Sequence, residues 1–128
     1  MKNFKKTIII QTLLFALTTI CFGQNRAENK NISICNLQSD TLTYKQLKNC
    51  KTISVKGKKA IDIKSFSYAY LREDNKTYED VAGTNNSITQ TMIDNTIKYK
   101  IKKALIDNVM VNDGQKIINY GCRVIYLK

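Results

Sequence analysis

The chain has 128 residues, 43% of them hydrophobic and 24% charged, with 21 basic against 10 acidic side chains and a formal charge of +11. That length suits one ordinary domain, and the complete lack of histidine removes the usual Ser–His and Cys–His catalytic pairs. The basic excess is compatible with acidic partners, but the lysines are spread along the chain and no Arg–aromatic interleaving accompanies them, so nucleic-acid binding is not expected.

The first residues follow a secretory plan: Lys2, Lys5 and Lys6, then the apolar run "IIIQTLLFALTTI", then "CFG" with Cys21 and Gly23 as the small residues before a cut. The expectation is a signal peptide over 1–23, removed after Gly23. Thirteen residues interrupted by Gln11 and three threonines are too short to span a hydrocarbon core of about 30 Å, so no transmembrane helix is expected in the mature chain. Lipid attachment at Cys21 is the weaker alternative, because bulky Ile20 precedes it where a small residue is usual. Cleavage leaves 105 residues beginning at Gln24 and, with three lysines removed, a charge of about +8. The chain is thus expected to be exported, to the periplasm or the outer-membrane periphery.

Three cysteines then remain, Cys35, Cys50 and Cys122. In an oxidising compartment that predicts one disulfide and one unpaired thiol. Cys35 with Cys50 is the favoured pair, because it closes a short loop worth roughly 3 kcal/mol in the chain-entropy account; either pairing with Cys122 stays open. Without CxxC or histidine, a zinc site is not expected.

Residues 24–38 read as a polar N-terminal segment and 39–128 as the domain proper. In "SDTLTYKQLKNC", Ser39 or Asp40 is placed to cap a short helical turn carrying Leu42 and Leu47. From "TISV" through "AIDIKSFSYAYL" the period becomes two, with Ile61, Ile63, Phe66, Tyr68 and Tyr70 inward and a slip at Ser65 and Phe66 that predicts a bulge. "LREDNKTYEDVAG" reads as a hairpin with "EDNK" at its tip. In "SITQTMIDNTI", Ser87 and Gln90 have capping-box spacing, with Ile88, Met92, Ile93 and Ile97 on one helix face. "KYKIKKALIDNVMV" and "KIINYGCRVIYLK" are β-rich runs joined by "NDGQ", where Asp113 and Gly114 predict a hairpin turn. Six or seven strands and one helix point to a mainly β fold, an immunoglobulin-like β-sandwich.

Searches for chemistry find little. An EF-hand started at Asp107 meets Val109 and Val111 at ligand positions; one started at Asn112 meets Lys116 and Ile118. Glu73, Asp74, Glu79 and Asp80 surround an exposed hairpin tip, a poor place to raise a carboxyl pKa. There is no SxxK, P-loop or GxGxxG. The reading is a non-enzyme without metal or cofactor.

Three stretches together resemble a known family. These are "TYKQLKNC", "IDIKSFSYAY" with its Ser–Phe pair, and "ITQTMIDNTIKYKIKKALIDNVMVNDGQ", followed by the closing "CRVIYLK". The pattern resembles the C-terminal periplasmic domain of GldM-type proteins, the shaft component of gliding motility and type IX secretion in Bacteroidota, across most of Thr41 to Lys128. Asn108 falls where that family often has Asn-Ile, though Val109 follows here, and Asp113–Gly114 falls on its Asp-Gly turn. The family's Gly-Asp between helix and strand is replaced by "KYKIKK". The resemblance implies a stand-alone module acting through a protein partner of unknown identity, and it leaves a homodimer open. The alternative is a secreted basic ligand binder or inhibitor directed at acidic glycans or a target enzyme, which would be favoured if "KGKK" and "KYKIKK" shared one face.

Overall fold

A computed structural model describes residues 27–72 and 78–128. The expected signal peptide, the Cys21 lipid site and the "EDNK" tip with Glu73 and Asp74 lie outside the described residues.

In chain order the elements are β1 (Ile32–Ile34), β2 (Thr41–Leu42), α1 (Tyr44–Asn49), β3 (Ile53–Val55), a 3-10 helix (Ala60–Asp62), β4 (Ile63–Leu71), β5 (Tyr78–Thr84), α2 (Gln90–Lys98), β6 (Lys103–Asp113), β7 (Lys116–Asn119) and β8 (Arg123–Leu127). Six strands form one mixed sheet in the order β2-β8-β6-β4-β5, with β7 paired to the far half of β6. Among the described strands only β2 and β8 run parallel. The other two strands, β1 and β3, make a separate antiparallel ribbon. Among the described residues the fold is therefore mainly β, with two short helices where one was expected and a six-to-two division of strands in open sheets.

Alternation explains how the layers meet. Ile32 faces Val55 and Ile34 faces Ile53 across the ribbon, so all four side chains share one surface. That surface joins Ile63, Phe66, Tyr68 and Tyr70 of β4, Ile106, Val109 and Val111 of β6, and Met92 and Ile93 of α2 in one core. Each such side chain contributes roughly 1.5–3 kcal/mol by leaving water. On the opposite sheet face Ala69, Leu105, Cys122 and Val124 form a smaller buried cluster.

The slip at Ser65 and Phe66 is present as a shift in the β4–β6 register between Ile63 and Ser65. A second shift, between Ser65 and Ser67, is taken up in β6, where Asn108 adopts φ +48°. Each strand carries one extra residue, so Ile63 opposite Val111 and Tyr68 opposite Ile106 both stay on the core face. Gly83 lies opposite Phe66, and a Cβ there would come within 2.5 Å of the ring. That close approach is what the glycine permits.

Four local expectations need correction. Ile61 was expected inward but is 77% exposed, because the 3-10 turn breaks the alternation before β4 begins. Leu42 is on β2, and α1 is capped by Thr43, whose hydroxyl accepts from the Gln46 amide while Gln46 Oε1 accepts from Thr43 N–H. Ser39 instead holds the Thr41 amide. The predicted Ser87–Gln90 cap of the longer helix is displaced by two residues: Thr89 is the N-cap and accepts from Met92 N–H at 3.2 Å. Ser87 is drawn into a β-bridge with Thr52, and Ile88 N–H bonds Lys51 O, so neither is free to start a helix. Gln90 begins the helix and donates to Asp94. On α2, Thr96 replaces Ile97 in the core. Its hydroxyl lies 2.7 Å from both Met92 O and the Tyr68 hydroxyl, which lets a polar residue stay buried.

Candidate functional site

The β6–β7 hairpin is closed by the two-residue turn Gly114–Gln115, with Asp113 and Lys116 paired across it. Gly114 sits at φ +68°, the first central position of a turn type that favours glycine there. Asp113 is therefore not a turn residue in the sense expected. It ends β6, and its carboxylate accepts from Lys58 Nζ at 2.7 Å.

All four residues of β7 are exposed, with Ile117 at 59% and Ile118 at 39%. Ile118 opposes Val111 and Ile117 opposes Asn112, so the two isoleucines project from opposite faces. Among the described residues β7 pairs only with β6. The tight turn makes Asp113–Lys116 and Val111–Ile118 the hydrogen-bonded pairs, which directs the backbone N–H and C=O of Ile117 and Asn119 away from β6. At the base of the hairpin Asn119 is fixed by its side chain, which donates to Asn108 Oδ1 and accepts from Gly121 N–H.

Beside the hairpin lies a groove. Cys35 and Asn36 both adopt φ +60° in a tight turn closed by Leu37 N–H to Ile34 O, and the Cys35–Cys50 disulfide ties that turn to the end of α1. A cavity of about 300 Å³ lies between this turn, β3 and the 3-10 helix, lined by Asn36, Ser54, Lys56, Lys58, Ile63 and Asn86 among others. A neighbouring cavity of about 110 Å³ shares Asn36, Ser54 and Lys56 and adds Lys30, Ser33 and Gln38. The Asp113 hydrogen bond holds the Lys58 ammonium above the ordinary lysine range.

The two basic clusters lie at opposite ends of β6. Lys58 of "KGKK" bonds Asp113 at one end of β6, while "KYKIKK" supplies Lys103 at the other, eleven residues or about 33 Å along the strand. Desolvation lowers the Lys103 pKa, and its ammonium lies 5.7 Å from the Tyr126 ring. At the β4–β5 end, Arg72 stacks 3.7 Å over Tyr99 and lies 3.6 Å from Glu79, whose carboxylate also accepts from the Tyr70 hydroxyl. Burial pushes up the Asp80 carboxyl, with Asp107 adding to the effect. Among the described residues no group of three histidine, cysteine, aspartate or glutamate side chains is placed to hold a metal, and no helix is long and apolar enough to cross a membrane.

The expected unpaired thiol is absent from the described residues: Cys122 is buried and is itself disulfide-bonded. Sequence reasoning also missed Arg123, which is 4% exposed and donates to the backbone carbonyls of Lys30, Ile32 and Gln38. Those bonds pin β1 to the sheet, and Nε is left buried without a partner among the described residues. A lone arginine inside the apolar run "CRVIYLK" was the available signal. No protein family, curated protein or solved structure matches this chain.

Proposed function

We propose that this protein is a non-enzymatic, exported protein-interaction module, similar to GldM-type C-terminal domains and working in the periplasm or at the outer-membrane periphery. In that reading the β1–β3 ribbon and the helices form a reduced second layer of an immunoglobulin-like sandwich. The observation that carries the reading is β7. It is an edge strand with two exposed isoleucines, and its backbone groups at Ile117 and Asn119 point outward. Such an edge is a template for adding a strand from a partner or from a second copy, and proteins that do not use an edge generally blunt it. Lys116 is the only charge on β7.

Cross-linking in cells at native expression, followed by mass spectrometry, tests the reading. A reproducible protein partner, or a cross-linked homodimer, is expected; recovery of neither would overturn it. A second reading, a basic binder of acidic glycans or an inhibitor of a target enzyme, is favoured by one observation, the groove whose lining includes no carboxylate.

A further inference from the structure

We infer that the groove between the β1–β3 ribbon and the Lys56–Lys59 turn binds an acidic saccharide, a chain of hydroxyl-rich rings bearing carboxylate or phosphate. The inference rests on the second of the two readings above and deepens it, and it is independent of the protein-contact reading, because β7 contributes nothing to the groove.

The two cavities share Asn36, Ser54 and Lys56 in their linings, so they lie side by side, and the larger is of roughly ligand size. Their polar side chains are amides, hydroxyls and ammonium groups, and no carboxylate lines either one. The side chains of Ser33, Asn36, Gln38, Ser54 and Lys56 have no hydrogen-bond partner among the described residues. Amides and hydroxyls both donate and accept, as sugar hydroxyls do, so the two sets are complementary. At the ends of the groove Lys30 is occupied by Glu28 at 3.2 Å and Lys58 by Asp113 at 2.7 Å. Lys56, in the middle, therefore supplies the uncompensated positive charge, and it is the group that would meet the ligand's acid.

The walls are also fixed in advance. Asn36 is held in a left-handed turn anchored by the Cys35–Cys50 disulfide. Gly57 takes φ +81° in a turn closed by Lys58 N–H to Val55 O. A preformed wall reduces the ordering cost that weakens most saccharide sites.

The test is an NMR titration of the oxidised, isotope-labelled protein with three probes of equal length class: an oligogalacturonate, a phosphorylated glucosamine disaccharide and a neutral cello-oligosaccharide. Shifts are expected at the Asn36, Ser54, Lys56 and Gly57 amides with at least one acidic probe and not with the neutral one. The uronate and phosphate arms separate a free acidic glycan from a phosphorylated lipid headgroup. Lys56→Gln should weaken binding at least fivefold, and Asn36→Gly, which tolerates the positive φ, severalfold. Lys102→Gln removes the same charge at the opposite end of β6 and should leave affinity within twofold. No shift at these amides with either acidic probe, equal binding of the neutral probe, or equal weakening by Lys102→Gln would each overturn the inference. None of those results would bear on partner capture at β7.

Discussion

Lys58 Nζ donates to Asp113 Oδ1 at 2.7 Å, joining residues 55 apart in sequence and closing the β6–β7 hairpin onto the turn that forms the groove. The same ammonium lies 5.9 Å from the Tyr120 ring. Asp113 thus competes with any anionic ligand for Lys58. Asp113→Asn is expected to speed amide exchange at Gly114 and Lys116 and to raise the groove's affinity for an acidic oligosaccharide a few-fold. Because the pair raises the Lys58 pKa, its attraction is fully present below the ordinary lysine range and is lost only as pH rises through the elevated folded value. Exchange measured at rising pH and rising salt checks the direction, since an exposed pair is readily screened.

Helix α2 offers a direct comparison of two capping assignments. Thr89→Ala should destabilise the protein by about 1 kcal/mol, the usual cost of a lost N-cap, because Thr89 accepts from Met92 N–H. Ser87→Ala should stay within about 0.5 kcal/mol, as a surface change away from a cap does. Urea unfolding of the two variants separates them.

That displacement shows where local patterns stopped being informative. The β4 strand was legible because Phe66, Tyr68 and Tyr70 alternate with polar neighbours, and the slip at Ser65 was legible because alternation fails there. The hairpin was legible from Asp113–Gly114, although the turn itself is Gly114–Gln115. Ser87 and Ile61 misled for one reason: a tertiary contact or a preceding turn overrode a correct local period. The six-to-two division of strands depends on β1 pairing with β3 and on Arg123 reaching three carbonyls more than eighty residues away, and neither leaves a local trace. Of the candidate surfaces, only the basic "KGKK" was visible as such in the sequence; "KII" read simply as the start of a β-rich run. The groove itself comes from nonlocal packing.

Tyr68 supplies a pH prediction. Burial pushes its phenol up to about 12, against a lesser opposing effect of the Thr96 hydroxyl. A raised phenol pKa means that the folded state resists ionisation, so stability is complete below the unfolded value near 10 and falls as pH rises toward 12. The shift corresponds to at most about 3 kcal/mol. Alkaline unfolding followed by circular dichroism should begin later in Tyr68→Phe, at the cost of leaving Thr96 with one partner fewer.

Arg123 tests how β1 is held. Arg123→Met keeps the buried stem but strands the carbonyls of Lys30, Ile32 and Gln38. Each stranded buried acceptor costs about 1–3 kcal/mol unless water reaches it. A loss of at least about 2 kcal/mol in urea unfolding is expected, with faster exchange of the β1 amides preceding global unfolding. Unchanged exchange in β1 would show that the ribbon does not rely on this side chain.

The most direct measurement of the protein-contact account is in-cell cross-linking of Ile117→Asp beside the parent protein, with thermal unfolding of both. Ile117 is 59% exposed on the outer strand, so the substitution should leave the melting temperature nearly unchanged while abolishing the partner or homodimer adduct. A folded Ile117→Asp protein that still forms the parent's adduct at full yield would contradict the account.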